Sequence, residues 1–130
     1  MTITSKITRQ VQAETSFIGY HCWPEAPKHR AYLANLHRHE FCVRVAIDVT
    51  HDDREIEFHD LYDKVKGICG MLARETSPHK KARMSCEMMS DSIIRELCIS
   101  YGFERRFTVQ VGEDGFKQSS IMVYAPVQYI

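Results

Sequence analysis

Three histidines have the types and spacing of a metal site. His37 and His39 are separated by one residue, and His21 lies upstream of them. Side chains at positions i and i+2 project from the same side of an extended strand, so these two imidazoles could share a metal ion. A third nitrogen from a neighbouring strand would complete the open, three-ligand arrangement that is typical of catalytic zinc. The pattern therefore predicts a zinc site formed by His21, His37 and His39.

The composition limits the kind of protein that positions these residues. The chain has 130 residues, of which 44% are hydrophobic and 26% charged, and its formal net charge is zero. These values are typical of a globular domain that buries its own core, so we expect a single domain over residues 1–130. Without net charge there is no overall field that attracts nucleic acid or an anionic membrane, and we expect neither as a partner.

The cysteines indicate a reducing compartment. There are five, an odd number, and none has the Cys-x-x-Cys spacing of a redox or zinc motif. No secretory signal precedes them and no window approaches transmembrane length, so we expect a cytoplasmic protein with free thiols.

The first half of the chain predicts two strands. Residues 5–20 alternate loosely between apolar and polar, and a segment with two prolines at 23–27 then interrupts regular structure. In the next segment every odd-numbered residue is apolar: Phe41, Val43, Val45, Ile47 and Val49. His37 and His39 are also odd-numbered and come just before them, so both histidines should continue the core-facing side of this strand.

Two helices and two further strands follow. Helical spacing of Leu61, Val65, Ile68 and Leu72 predicts a helix from about His59 to Arg74. Ser85 is a suitable N-cap for a second helix that should end at Gly102. Alternation at 107–111 and an apolar run at 121–124 predict the last two strands. The order ββααββ indicates an α+β fold in which both helices pack on one face of an antiparallel sheet. The free sheet edges favour oligomerisation.

Several segments, taken in order, resemble the 6-pyruvoyltetrahydropterin synthase and 6-carboxytetrahydropterin synthase family. Residues 17–21 resemble its Phe-x-x-x-His strand, and residues 36–41 its Leu-His-Gly-His-x-Phe/Tyr strand. Residues 56–61 resemble the segment before its first helix. Residues 85–87 resemble the Thr-x-Glu start of its second helix, and residues 111–114 its Val-x-Glu-Thr segment.

The resemblance implies a tunnelling fold, or T-fold, in which trimers close a barrel and stack as homohexamers. It implies that zinc is bound by the three histidines and that a small pterin or nucleotide-like ligand lies at a subunit interface. Glu113 would hold the guanidine-like edge of the ligand through paired charge-assisted hydrogen bonds, or else is an exposed turn carboxylate. Ser85 and Glu87 would belong to the substrate-binding set.

The departures from the family pattern affect its acid/base residues. Leu33 stands at the position of the catalytic cysteine, and Ala73 and Arg74 replace an Asp-His pair. His79, in the loop after the first helix, is the best candidate for a replacement catalytic base because imidazole titrates near neutrality. Cys22 follows His21 directly and should point to the opposite side of the strand. The basic segments 28–30 and 79–83 are solvated surface or phosphate contacts.

Three functional hypotheses remain open at this point. The first is a divergent zinc-dependent lyase that acts on a pterin or nucleotide-derived triphosphate of the 7,8-dihydroneopterin triphosphate type, by metal-assisted elimination. The second is a zinc-containing pterin- or purine-binding module without catalysis. The third is an oligomeric scaffold with no ligand.

Overall fold

The computed structural model describes residues 3–127, and its elements follow the predicted order. The strands are β1 (Arg9–His21), β2 (His37–Val49), β3 (Phe107–Glu113) and β4 (Ser119–Tyr124). The helices are α1 (Phe58–Glu75) and α2 (Cys86–Tyr101), with short 3-10 helices at Lys28–Ala34 and Pro78–Lys80. The predicted α+β class and the ββααββ order are confirmed.

The four strands form one antiparallel sheet in the order β1-β2-β3-β4. β1 begins at Arg9 rather than near residue 5, because Arg9 pairs with Val49 at the end of β2. Residues 5–8 therefore extend past their partner strand. At the other end of this hairpin, β2 starts at His37, as the parity of its apolar residues predicted.

Both helices pack on the same face of the sheet. α1 lies against β1, and α2 lies against β3 and β4. Their apolar stripes meet the inward residues of the strands in one core, which includes Phe41, Val45, Leu61, Ile93 and Val109. The four residues predicted for the stripe of α1 are all buried. Burial of each large apolar side chain contributes about 1.5–3 kcal/mol, so the packing of the two helices on this face of the sheet is a major source of stability.

The helix ends follow local capping chemistry. Ser85 accepts a hydrogen bond from the backbone N–H of Met88 at the start of α2, as predicted. Gly102 ends that helix with φ of 95° and donates its N–H to the carbonyl of Cys98. At the start of α1, the Glu57 side chain accepts from the N–H of Asp60. These caps set where each helix leaves the sheet.

Candidate metal centre

The β1–β2 hairpin brings the three histidines together at one end of the sheet. His21 and His37 are directly paired across the two strands, and His39 is paired with Gly19. One nitrogen of each ring lies within 4.8 Å of the others. His21 is buried, and His37 and His39 are partly buried. The sequence predicted this cluster from strand parity, and the register shows why the third ring reaches the other two.

A separate hydrogen bond orients each ring. His21 Nδ1 lies 2.7 Å from the carbonyl oxygen of Met84, and His37 Nδ1 lies 2.7 Å from that of Asn35. His39 Nδ1 lies 2.7 Å from the carboxylate of Asp114. Each of these partners accepts a hydrogen bond, so the proton of each neutral ring belongs on Nδ1. The free nitrogen of all three rings is then Nε2, which is the arrangement of a prepared metal site.

Phe41 forms the floor beneath the rings. Its side chain has 0% exposure, and its ring packs edge to face with His21 and His39 at centroid distances of 5.1 and 5.6 Å. Gly19 allows this packing, because a Cβ there would lie 2.6 Å from Thr76 Oγ1 and 3.0 Å from the Phe41 ring. A buried aromatic floor restricts ring rotation and leaves the histidine nitrogens facing outward.

The donor set fits a divalent cation. His39 Nε2 is buried and has no hydrogen-bond partner among the described residues. Glu113 Oε2 lies 3.2 Å from this nitrogen, and Oε1 of the same carboxylate lies 3.7 Å from His21 Nε2. With the proton of His39 on Nδ1, Nε2 and the carboxylate oxygen are both acceptors, so a cation between them would satisfy both. Burial lowers the pKa of His21, which favours the neutral form that binds metals.

A cleft of about 750 Å³ opens beside the histidines. This volume is within the range of about 300–1,000 Å³ that is usual for small-molecule sites. His21, His37 and Glu113 line it together with the exposed aromatic rings of Trp23 and Tyr32. Arg30 and Arg83 also line it, one from each basic segment of the sequence. The cleft therefore combines a candidate metal centre with flat apolar surfaces and two guanidinium groups.

Two cysteines line this cleft that the sequence did not assign to it. The parity argument placed Cys22 on the far side of a strand, but β1 ends at His21 and that argument does not extend to Cys22. The backbone of Cys22 turns to donate to the carbonyl of Ala82. The Cys86 Sγ lies 4.0 Å from Glu113 Oε1, and burial raises the pKa of this thiol to about 12. Cys86 is therefore a thiol rather than a thiolate at neutral pH.

The other residues named from the sequence separate into two groups. Ser85 and Glu87 line the cleft at the start of α2, and so does Leu33, which the sequence resemblance aligned with a cysteine. His79 is exposed on the short 3-10 helix Pro78–Lys80 and is not among the residues that line the cleft. The Ser77 hydroxyl lies 3.5 Å from both of its ring nitrogens.

Two other cavities, of about 270 and 910 Å³, lie at the far end of the sheet, beside Arg9 and Val49, and a third of about 130 Å³ lies between α1 and α2. None of these three contains any of the three histidines, so the candidate site is the cleft with the converging imidazoles. Within residues 3–127, no helix has both the length and the hydrophobicity needed to cross a membrane.

Comparison with known proteins gives matches at the level of three-dimensional structure alone: no protein-family model and no curated protein sequence matches the chain. The 6-pyruvoyl tetrahydropterin synthase of Plasmodium vivax is 15% identical, with a TM-score of 0.64 over 93% of this chain and 100% of that one. The Plasmodium falciparum enzyme is 17% identical, with a TM-score of 0.64 over 95% and 99%. The Caenorhabditis elegans enzyme is 14% identical, with a TM-score of 0.55 over 96% and 100%.

These likenesses establish the fold. The chain has the T-fold of 6-pyruvoyl tetrahydropterin synthases, as the sequence resemblance implied. The P. vivax enzyme has also been solved as variants in which a catalytic glutamate is replaced by alanine or by cysteine.

Proposed function

We propose that this chain is a divergent, zinc-dependent member of the 6-pyruvoyl and 6-carboxytetrahydropterin synthase family. It would act as a single domain on a pterin or nucleotide-derived triphosphate of the 7,8-dihydroneopterin triphosphate type. The observation that carries the proposal is the convergence of three imidazole nitrogens, each oriented by its own Nδ1 partner, beside a ligand-sized cleft in this fold. His21, His37 and His39 would hold the zinc.

The cleft offers contacts for each part of such a substrate. The exposed faces of Trp23 and Tyr32 suit a planar heterocycle, and Arg30 and Arg83 suit the phosphates. Glu113, with Ser85 and Glu87, would bind the polar edge of the ring, where a carboxylate accepts two parallel hydrogen bonds. Bound zinc would polarise an oxygen of the substrate side chain and so favour elimination.

The residue that would transfer protons is the part of the site that differs most from the family pattern. Leu33, which the sequence resemblance aligns with the family's cysteine, lines the cleft, and Cys86 is held as a neutral thiol. His79 remains the proposed base, and it would have to move with its loop because it is exposed outside the cleft. The P. vivax enzyme has a glutamate as a catalytic residue, which supports the view that a catalytic residue in this fold need not be a cysteine.

Metal analysis tests the first half of the proposal. Purified protein should hold about one equivalent of zinc per chain, and His37→Ala should lose most of it, because three ligands are the minimum for a stable site of this kind. His51→Ala is the matched control, since His51 lies in the exposed turn after β2. Less than about half an equivalent, with no change in His37→Ala, would contradict a zinc site.

A substrate assay tests the second half. We expect release of triphosphate from dihydroneopterin triphosphate by the wild-type protein and its loss in His39→Ala. The alternative function is a zinc-containing pterin- or purine-binding module, which the apolar Leu33 in the cleft favours. Tight binding of a pterin without triphosphate release would establish that alternative, and release that depends on His39 would exclude it.

A further inference from the structure

We infer that Asp114 is a positioning residue of the metal centre, which fixes the orientation and proton position of His39. The inference rests on the proposed function, because it concerns the same three histidines. Asp114 Oδ2 lies 2.7 Å from His39 Nδ1, a distance typical of a charge-assisted hydrogen bond. A carboxylate at this position makes the imidazole a stronger metal ligand and prevents the ring from turning.

Asp114 differs in kind from the partners of the other two rings. His21 and His37 are oriented by the main-chain carbonyls of Met84 and Asn35. Those acceptors carry no net charge and are present whatever side chain the residue has. Of the three rings, His39 alone depends on a side chain for its Nδ1 partner. The family pattern to which residues 111–114 are similar has threonine at this position, so the carboxylate is a feature of this chain.

The Asp114 carboxylate is itself held in place. Its Oδ1 accepts a hydrogen bond of 3.0 Å from the backbone N–H of Glu40, and its own N–H donates to the Glu40 carbonyl at 2.7 Å. The backbone of Asp114 is left-handed, with φ of 57°, a conformation that aspartate tolerates better than most residues. The turn after β3 therefore clamps the carboxylate to the strand that carries His39.

The contact with Asp114 also determines which form of Nε2, protonated or unprotonated, His39 directs into the site. With its proton donated to Asp114, the ring directs the lone pair of Nε2 towards Glu113 Oε2, 3.2 Å away. Two acceptors at this distance repel each other unless a cation lies with them. Asp114 would thus keep His39 in the form that binds a cation and disfavour the tautomer that would simply donate to Glu113.

Two substitutions test the inference without straining the turn. Asp114→Asn and Asp114→Gly both suit a left-handed backbone. The two contacts use different carboxylate oxygens, so asparagine in the same conformation keeps one of them and presents an NH2 donor at the other, and glycine removes both side-chain contacts. Glu40→Gln is the matched control, because it removes a nearby charge from an exposed side chain that contacts Cys42 rather than His39, and it leaves the backbone contacts of Glu40 with Asp114 in place. Circular dichroism of the metal-free proteins shows whether each variant folds.

Zinc affinity, measured by competition with a chromogenic chelator, is the first readout. We expect Asp114→Asn and Asp114→Gly to bind zinc about 10–100-fold more weakly than the wild type, and Glu40→Gln to match it. Affinities within about twofold of wild type in both Asp114 variants would overturn the inference and leave the proposed function intact. A wild-type protein that binds no zinc would overturn the proposed function together with the inference.

The tautomer of His39 is the second readout, and it needs no variant to fold. Long-range nitrogen–proton correlation spectra of the metal-free wild type should show the proton of neutral His39 on Nδ1. A proton on Nε2 would overturn the inference even if zinc binds.

Discussion

At the scale of single residues, exposure separates the five thiols into groups with different chemistry. Cys22 and Cys42 are partly exposed, whereas Cys69, Cys86 and Cys98 are buried. Burial raises the pKa of Cys69 and of Cys86 to about 12, because the thiolate would lose its hydration. Only the thiolate is a strong nucleophile, so the cysteine nearest the candidate metal centre on α2 is a poor catalyst.

A thiol titration checks this division. Native protein should react with a disulfide reagent such as dithionitrobenzoate at two cysteines, Cys22 and Cys42, and unfolded protein at all five. Cys42 should be the slower of the two, because burial also raises its pKa. Cys22→Ser should remove the faster phase. Rapid reaction of Cys86 in the native state would contradict the structure.

A second residue-scale prediction concerns Glu55. Its carboxylate accepts hydrogen bonds from Thr50, including one of 2.7 Å from the backbone N–H, and pairs with Arg105. The Thr50 hydroxyl, followed by Arg105, lowers the pKa of Glu55 to about 2. A lowered pKa means that the ionised form is the one that stabilises the fold, so this stabilisation is present above the unfolded value of 4.5 and is lost as the pH falls towards 2.

Urea denaturation at a series of pH values measures the effect. Glu55→Gln should be less stable than wild type at neutral pH, and the difference should shrink between pH 4.5 and about 2. Asp53→Asn is the control, because Asp53 pairs with its exposed neighbour Arg54 in the same turn. A difference that is constant with pH would show that the Glu55 contacts do not stabilise the fold through its charge.

At the scale of elements, the candidate metal centre depends on how closely β1 approaches the end of α1. The backbone N–H of Tyr20 donates to the carbonyl of Thr76 at 2.8 Å, and the Thr76 side chain is fully buried. A Cβ on Gly19 would lie only 2.6 Å from Thr76 Oγ1, so there is no space for a larger residue. The glycine between Ile18 and Tyr20 is thus a packing requirement, since a larger residue would push α1 from the strand that ends at His21.

Gly19→Ala should therefore destabilise the protein by about 1–3 kcal/mol, as is usual when a close-packed position is overfilled. It should also weaken zinc binding, because Phe41 supports His21 and His39. Gly67→Ala is the matched control: its Cβ meets nothing within 4 Å, and alanine favours a helix by about 0.5–1 kcal/mol. Chemical denaturation of both variants gives the comparison, and equal stability of the two would contradict the close approach.

At the scale of the whole molecule, the sheet is open on one face and at two edges: within residues 3–127, both α-helices lie on one face, and no helix covers the opposite face. β1 and β4 are the outer strands. Ile121 and Val123 on β4 are 65% and 48% exposed, on the side opposite the helices. Unpaired edges with exposed aliphatic residues favour association between chains. This agrees with the trimer or hexamer that the family resemblance implies, which remains a prediction.

Sedimentation or light scattering tests the assembly. We expect a species several times larger than the 15.1 kDa chain. The double variant Ile121→Lys, Val123→Lys should shift it towards the monomer, because charged side chains block edge pairing. Ile99→Lys is the control, since Ile99 is 72% exposed on α2 and so belongs to the helical layer rather than to the sheet. A wild-type monomer would contradict the prediction.

The sequence by itself determined the elements and the core of the candidate site. Helical spacing in α1 and strand alternation in β2 are local patterns, and side-chain direction follows from them, so His37 and His39 could be placed on one side together. The cap at Ser85 and the helix end at Gly102 could likewise be predicted from the sequence, because each depends on a few neighbouring residues.

Only the tertiary structure decided what surrounds the histidines. Cys22 lines the cleft because β1 ends one residue before it, at His21. Loops that join distant parts of the chain place Arg30 and Arg83 in the same cleft. They also bring Asp114 within hydrogen-bond distance of His39. Such contacts depend on how loops close and on the balance of many packing interactions, which no local periodicity encodes. Local patterns thus predicted the histidine cluster of the candidate metal centre, whereas long-range packing determined the residues that orient and surround it.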